Sequence, residues 1–389
     1  MRRIAVVTTS RADYGIYRPL LERLKADPGV DLQLIVGGMH LRPEYGNTVA
    51  EIEAEGMPIA AKLDFMDTDD SGAGVAKVMG RATVAFAEAF ERIEPEIVVV
   101  LGDRYEMHAA AVAAQPFAIP IAHLHGGELT LGAMDDNLRH SMTKLSHLHF
   151  VSTETYGRRV RQLGEEDWRV VVSGAMGLDA LDNADIADRE ELEEAVGMRL
   201  SEPPLLVTYH PATRQTGDVK TQTAGLFAAL KQSGLPCIFT APNADEGGRQ
   251  LRDLIEAFIA AHENARLVDN LGTRRYFGLM KIAAAMVGNS SSGIIEAASF
   301  KLPVVNIGTR QEGRVRGANV VDTPEDRQAI ASALDKVLSP AFKASLADIG
   351  NPYKGDERAA DVIHRGLMET PLDEKLIKKY FADIVDAPV

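Results

Sequence analysis

The sequence holds a single cysteine, Cys237, so it can close no internal disulfide. Cys237 sits in the apolar run Leu235-Pro236-Cys237-Ile238-Phe239, which reads as a buried strand and fits a reducing compartment. Positive charge is in short supply: 42 Lys and Arg stand against 56 Asp and Glu, a net charge of −14. That balance argues against non-specific nucleic-acid binding, which needs a basic surface. An anionic ligand would have to meet a local pocket of Arg, His and helix N-termini rather than a global field. Long apolar runs are missing too, and no stretch reaches the ~20 apolar residues of a membrane span. The start, Met1-Arg2-Arg3 then Ile4-Ala5-Val6-Val7, has the charge of a signal peptide. Its apolar run stops at Thr8-Thr9-Ser10-Arg11, short of the roughly 7–15 residues of a signal core. An opening β-strand and a cytoplasmic location are expected, with neither membrane nor nucleic acid as partner. Internal repeats and low-complexity segments are absent.

What is present is a chain of 389 residues, enough for two or three domains at roughly 100–200 residues each. Its 46% hydrophobic and 25% charged residues are ordinary for a soluble protein with sizeable cores. The first half repeats one pattern: short apolar, β-branched runs end in polar or Gly-rich turns, and amphipathic stretches follow. Strands are expected over 4–8, 32–36, 97–101, 119–124, 148–151 and 170–172, with helices over 16–24, 75–93 and 105–114. Strands apolar on both faces that alternate with helices imply a parallel doubly wound sheet. After a polar, acidic connector over 183–194 the pattern restarts. Strands over 205–208, 237–240, 265–268, 284–287 and 304–306 alternate with helices over 218–232, 246–261 and 294–300. The expected division is one domain over 1–183, a second over 184–370, and a helix within 371–389 packing back. Ligands in open α/β sheets bind outside the carboxyl ends of strands, so a cleft between two such domains is the expected site.

The candidate residues lie at those strand ends. The first strand runs into Thr8-Thr9-Ser10-Arg11-Ala12-Asp13-Tyr14-Gly15, with a helix from about residue 17. A strand-to-helix turn offers free N–H groups to a phosphate, and Arg11 adds a forked cation. It is neither a G-x-G-x-x-G nor a Walker A loop, and alone it reads as an ordinary helix start. Asp103 follows the 97–101 strand, as a cleft carboxylate or a helix N-cap. The next strand delivers His123-Leu124-His125-Gly126-Gly127-Glu128, then Asp135-Asp136-Asn137-Leu138-Arg139-His140. Alternation along a strand puts His123 and His125 on one side. Acidic groups and imidazoles at this density suit general acid–base chemistry. A metal is the competing reading, but no H-x-x-x-H or C-x-x-C spacing supports it. His147 and His149 read as embedded in the sheet. In the second half, Thr208-Tyr209-His210-Pro211 leaves His210 at a strand end. Gly288-Asn289-Ser290-Ser291-Ser292-Gly293-Ile294-Ile295-Glu296 offers hydroxyls and N–H groups for a pyrophosphate, with Glu296 for a ribose. A Ser-rich capping box with Glu296 as partner is the plainer reading. Arg310, Arg314 and Arg316 share one Gly-bearing loop suited to an anionic leaving group.

In this order the motifs resemble the hydrolysing branch of the UDP-N-acetylglucosamine 2-epimerase family, enzymes that feed sialic and related nonulosonic acid synthesis. Ser10 to Gly15, Leu101-Gly102-Asp103-Arg104-Tyr105-Glu106, the His123 to Glu128 stretch, Asp135-Asp136 with Arg139-His140, the 143–149 stretch and Gly288 to Glu296 carry the resemblance. It spans nearly the whole chain, and His-Gly-Gly-Glu separates it from the non-hydrolysing branch. The resemblance implies two Rossmann-like domains of the B-type glycosyltransferase kind with a cleft between them. It implies acid–base roles for Asp103, Glu128 and one of Asp135 or Asp136, and His125 joins them as a catalytic candidate from the strand-end cluster. UDP would meet His210, Tyr276 (as a stack for uracil), Ser291, Ser292, Gly293 and Glu296, with Arg11 on the diphosphate; Asn289, Ser290, Arg310 and Arg314 belong to the same expected site. The implied reaction eliminates UDP across C1–C2, forms a 2-acetamidoglucal, and rehydrates it to N-acetylmannosamine, with no cofactor and no metal. A homodimer or homotetramer is implied. The same reaction on a UDP- or GDP-linked 2,4-diacetamido-2,4,6-trideoxyhexose, a glycosyltransferase, and a nucleotide-sugar sensor are the alternatives.

Overall fold

A computed structural model describes residues 1–69, 71–131, 134–182, 186–210, 219–241, 248–269 and 271–383. Pro211, the start of the 183–194 connector, and the first residues of the helices expected from 218 and 246 lie outside the described residues. The chain forms two compact units. The first comprises residues 1–128, 133–180 and 353–389; the second comprises 129–132 and 181–352.

The first unit is built on a seven-stranded sheet: β1 (Arg2–Thr8), β2 (Val30–Gly37), β3 (Ile59–Leu63), β4 (Ile97–Leu101), β5 (Ile121–Leu124), β6 (Leu148–Val151) and β7 (Val170–Val172). Their order is β3-β2-β1-β4-β5-β6-β7, every neighbouring pair parallel. The central strands β1, β4, β5 and β6 are buried almost throughout, which is why they read as continuous apolar runs. The chain winds outward from β1 to β3, then returns beside β1 at β4. That reversal leaves a gap at the carboxyl ends of β1 and β4, where open α/β sheets take their ligands.

The second unit repeats the plan with β8 (Leu205–Thr208), β9 (Cys237–Thr240), β10 (Ala265–Val268), β11 (Ala285–Gly288), β12 (Val304–Ile307) and β13 (Val320–Thr323). Their order is β10-β9-β8-β11-β12-β13, again all parallel. Its reversal falls between β8 and β11. His210 follows β8, and the Ser-rich turn follows β11.

Several expected elements and boundaries differ from the structure. The first helix spans Arg11–Lys25 rather than starting near residue 17. Ser10 caps it and Asp13 reaches back to the cap, a reciprocal pair that starts the helix six residues earlier. β3 and β13 were not expected. The second domain does not run to 370, because the chain rejoins the first unit at Tyr353. The Ala359–Glu369 helix buries Ile363 and Leu367 in the first unit's core. Asp179 caps it, accepting from the Ala359 and Ala360 N–H groups at 2.9 and 2.7 Å. The helix expected within 371–389 is, among the described residues, a single turn, Glu374–Ile377. Buried Arg169 donates to the carbonyls of Leu376 and Lys375, both at 2.9 Å, and of Lys378 at 3.3 Å. A longer helix would need those carbonyls. Among the described residues no helix is long and apolar enough to cross a membrane.

Candidate active site

At the end of β1, Asp13 is a buried hub. Its carboxylate accepts from Thr8 Oγ1 at 2.5 Å and from the Thr9 and Ser10 N–H groups at 3.1 Å. Buried His40 stands 2.9 Å from Thr8 Oγ1 and 3.9 Å from Asp13. Burial pushes the Asp13 carboxyl up, but the hydrogen bonds from His40 and Thr8 and then the Thr9 N–H outweigh it, and the net shift is downward. Asp13 therefore organises the turn from within. Arg11, at the first helical position, is exposed and lies 3.7 Å from Glu51.

β4 ends at Leu101, and Gly102, in left-handed backbone, leads into Asp103. The N-cap of the next helix is Arg104, so Asp103 is not a cap. Its carboxylate accepts instead from Arg139, which exposes only 3% of its surface. Arg139 projects from the Met134–Leu145 helix. It also lies 3.4 Å from Glu128 and donates to the His125 carbonyl at 3.2 Å. One guanidinium thus ties together three expected site residues from the ends of β4 and β5. Burial, and next the negative charge of Asp103, raise Asp135 above the usual carboxylate range. Asp136 lies 3.7 Å from His140 one turn on.

The strand alternation expected of His123 and His125 stops at Leu124, where β5 ends. His125 adopts left-handed backbone with φ 61°. His123 Nε2 bonds the Gly102 carbonyl at 2.8 Å, and burial pushes its imidazole down to about 3. It is a neutral strut between β4 and β5. His125 Nδ1 instead meets Glu128 at 2.7 Å, and Ser152, directly after β6, donates to the same carboxylate oxygen at 2.8 Å. Gly127 has no room for a side chain: a Cβ there would stand 2.5 Å from the Tyr156 carbonyl. His147 and His149 are sheet-embedded, as expected. Burial lowers both, His147 to about 4, and His149 faces buried Glu165 at 2.9 Å.

In the second unit the Asn289 side chain brackets the backbone of one residue, His210. Its Oδ1 accepts from the His210 N–H at 2.7 Å, and its Nδ2 donates to the His210 carbonyl at 2.8 Å. Asn289 is thus a scaffold for His210, and its own carbonyl accepts from Arg310 at 3.0 Å and Gln311 at 2.9 Å. Gly288 packs so closely on β8 that a Cβ would stand 1.9 Å from the Thr208 carbonyl. Ser290 caps the Ser291–Ile295 turn through the Ser292 N–H. The capping box expected with Glu296 does not form. Its partner position is Gly293, which faces Val304, and Glu296 closes the C-terminal end. Burial pushes the Tyr276 phenol up to about 12; the Glu296 charge adds to the rise, and the hydroxyls of Ser292, Thr208 and Ser290 work against it. The Tyr276 hydroxyl therefore belongs to a polar cluster at the ends of β8 and β11. Arg314 donates to the Leu129 carbonyl at 3.3 Å, and Arg316 pairs with Asp322 at 2.7 Å.

Arg139 and Ser152 were not among the expected site residues. The signal for Ser152 was available: like Gly102 and His125 it directly follows a central strand. For Arg139 it was the spacing from Asp135, one helical turn. Among the described residues no three His, Cys, Asp or Glu side chains gather to hold a metal ion.

Two parallel sheets in Rossmann order, each with polar residues gathered where the order reverses, make this a two-Rossmann-domain protein. The same fold occurs in the UDP-GlcNAc 2-epimerase from Neisseria meningitidis solved with UDP-GlcNAc. That structure matches with a TM-score of 0.81 at 19% identity, over 95% of this chain and 100% of that one. Residues 22–368 match the family described as UDP-N-acetylglucosamine 2-epimerase. The chain belongs to that family. It is 40% identical to the GDP/UDP-N,N'-diacetylbacillosamine 2-epimerase (hydrolyzing) of Campylobacter jejuni, covering 98% of this chain and 99% of that protein. It is 37% identical to the UDP-N,N'-diacetylbacillosamine 2-epimerase (hydrolyzing) of Legionella pneumophila, covering 97% and 99%.

Proposed function

We propose that this enzyme removes the nucleotide from a UDP- or GDP-linked 2,4-diacetamido-2,4,6-trideoxyhexose and inverts C2. The observation that carries the substrate is the full-length likeness to two hydrolysing epimerases whose names specify diacetylbacillosamine. UDP-N-acetylglucosamine, the substrate first expected from the motifs, becomes the alternative. The motifs themselves are common to both sugars, and the groups at C4 and C6 are what differ.

The residues fit an elimination followed by hydration. In the first unit Asp103, His125, Glu128 and Asp135 are assigned to the acid–base work, and Asp135 is the one whose carboxyl burial and the Asp103 charge push upward. Asp136 stands next in line. In the second unit His210, Tyr276, Ser290, Ser291, Ser292, the Gly293 backbone, Glu296, Arg310 and Arg314 are assigned to the nucleotide, with Asn289 holding His210 in place. Arg11 is assigned to the diphosphate. Donors placed where charge develops stabilise a departing diphosphate. Location in the cytoplasm, and assembly as a homodimer or homotetramer, complete the proposal.

The test is a comparison of kcat/KM on the UDP-linked and GDP-linked diacetamido sugars and on UDP-N-acetylglucosamine. The proposal expects a diacetamido donor to be preferred about 100-fold or more, since a site built around a substrate's polar group rejects the analogue lacking it. Preference for UDP-N-acetylglucosamine would overturn it.

A further inference from the structure

An epimerase acting through elimination needs one atom to accept the C2 proton, and His125 is built for that task. It is a non-glycine residue in left-handed backbone. Such a conformation is costly and persists only where the surroundings fix it. Here its N–H donates to the Phe150 carbonyl at 2.9 Å, and its carbonyl accepts from Arg139 at 3.2 Å. The imidazole is fixed as well, with Nδ1 2.7 Å from Glu128 Oε1.

Glu128 is itself held on both oxygens. Ser152 donates to Oε1 at 2.8 Å, and Arg139 lies 3.4 Å from Oε2. Donors on both sides leave the carboxylate as acceptor, so the hydrogen it shares with His125 sits on Nδ1. Nε2 then carries the lone pair. It is sheltered from solvent and has no hydrogen-bond partner among the described residues. His123, two residues earlier, makes the contrast. Both of its nitrogens are engaged, with the Gly102 carbonyl at 2.8 Å and with Thr143 at 3.3 Å.

We propose that His125 Nε2 takes the C2 proton in the elimination step, with Glu128 as the positioning carboxylate that fixes the ring's tautomer and direction. This rests on the 2-epimerase reading above and assigns its base. The step balances. The C2–H electron pair becomes the C1–C2 double bond, and the C1–O pair leaves on the nucleotide diphosphate. The proton ends on Nε2, giving an imidazolium that Glu128 faces and that passes its proton on to the water admitted for the hydration step. The charged and titratable groups around the ring are Glu128, Arg139 and His123. Inversion needs a separate acid on the opposite face of C2.

The test uses the full-length enzyme with His125→Gly, since glycine keeps left-handed backbone without strain and opens room for a free base. Turnover should fall about 100-fold or more, and added imidazole should restore it about tenfold, with UDP affinity and melting unchanged. A variant that still binds UDP and melts normally but gains nothing from imidazole overturns the proposal, as does one that turns over like the wild type. A second measurement needs no substrate: ¹⁵N NMR of the ring nitrogens. Hydrogen on Nδ1 is expected in the wild type. In Glu128→Gln, Arg139 keeps the amide oxygen and the NH2 turns to the ring, so hydrogen is expected on Nε2. Hydrogen on Nε2 in the wild type overturns the proposal. If the wild-type enzyme leaves every nucleotide sugar intact, the epimerase reading falls on its own, and the ring tautomer still tests the His125–Glu128 pair independently.

Discussion

Arg139 donates to the Asp103 carboxylate, joining the end of β4 to the helix that follows β5. The guanidinium is almost fully buried, and Glu128 lies on its other side. A buried cation between two carboxylates cannot be removed without leaving them facing each other. Arg139→Met should cost about 3–5 kcal/mol of stability, the usual penalty for breaking a buried pair from one side. Arg139→Lys should cost less but still lower turnover, because an ammonium lacks the planar fork that reaches Asp103 and the His125 carbonyl from separate nitrogens. Urea unfolding of the two variants checks the order.

Asp103→Asn keeps the shape of the side chain and removes its charge. Turnover should be lost while UDP binding survives, since all the proposed nucleotide residues but Arg11 belong to the second unit. Calorimetry with UDP reads the second part. Equal loss of binding and turnover would make Asp103 structural.

Buried neutral histidines make stability depend on pH. Burial lowers His123 to about 3 and His147 to about 4, against an unfolded value near 6.5. Below pH 6.5 the unfolded chain takes up these protons and the folded chain does not. Stability is therefore highest above that value and falls on acidification, by about 1.4 kcal/mol per pH unit for each such histidine. The loss continues until each folded value is reached. His123→Gln should flatten the dependence of the urea midpoint between about pH 6 and pH 4.

Gly288 combines φ 136° with a Cβ position 1.9 Å from the Thr208 carbonyl. Gly288→Ala should lower stability by well over ~1 kcal/mol, because neither the backbone conformation nor the space admits a side chain. The displaced turn carries Ser290 and Ser292, so UDP affinity should fall as well. Thermal melts and calorimetry on the same preparation check both.

Much of this was legible in the sequence, for physical reasons. Strands covered on both faces, such as β4 and β11, must be apolar throughout, and that run of apolar residues marks them. The edge strands β3 and β13 are half-exposed and carry Lys62 and Asp322, so they lack that signature. The placing of Asp103, His125 and Glu128 after strand ends, with Asp135 in the first turn of the next helix, was legible from the strand pattern. What could not be read was which polar atoms use each other. Asn289 looked like a ligand-facing amide, yet both of its side-chain polar atoms serve the backbone of His210. The return of the chain at Tyr353 depends on contacts distant in sequence, among them the Tyr353 and Tyr156 hydroxyls 2.8 Å apart. No local pattern announces such a pairing.

The central claim is hydrolytic 2-epimerisation of a diacetamido nucleotide sugar, and an NMR time course in deuterated water tests it most directly. With UDP- or GDP-linked 2,4-diacetamido-2,4,6-trideoxyglucose, nucleotide diphosphate should appear together with a free sugar inverted and deuterated at C2. Release of nucleotide with C2 still protonated and uninverted would contradict the account, and so would a substrate left intact while UDP-N-acetylglucosamine is consumed.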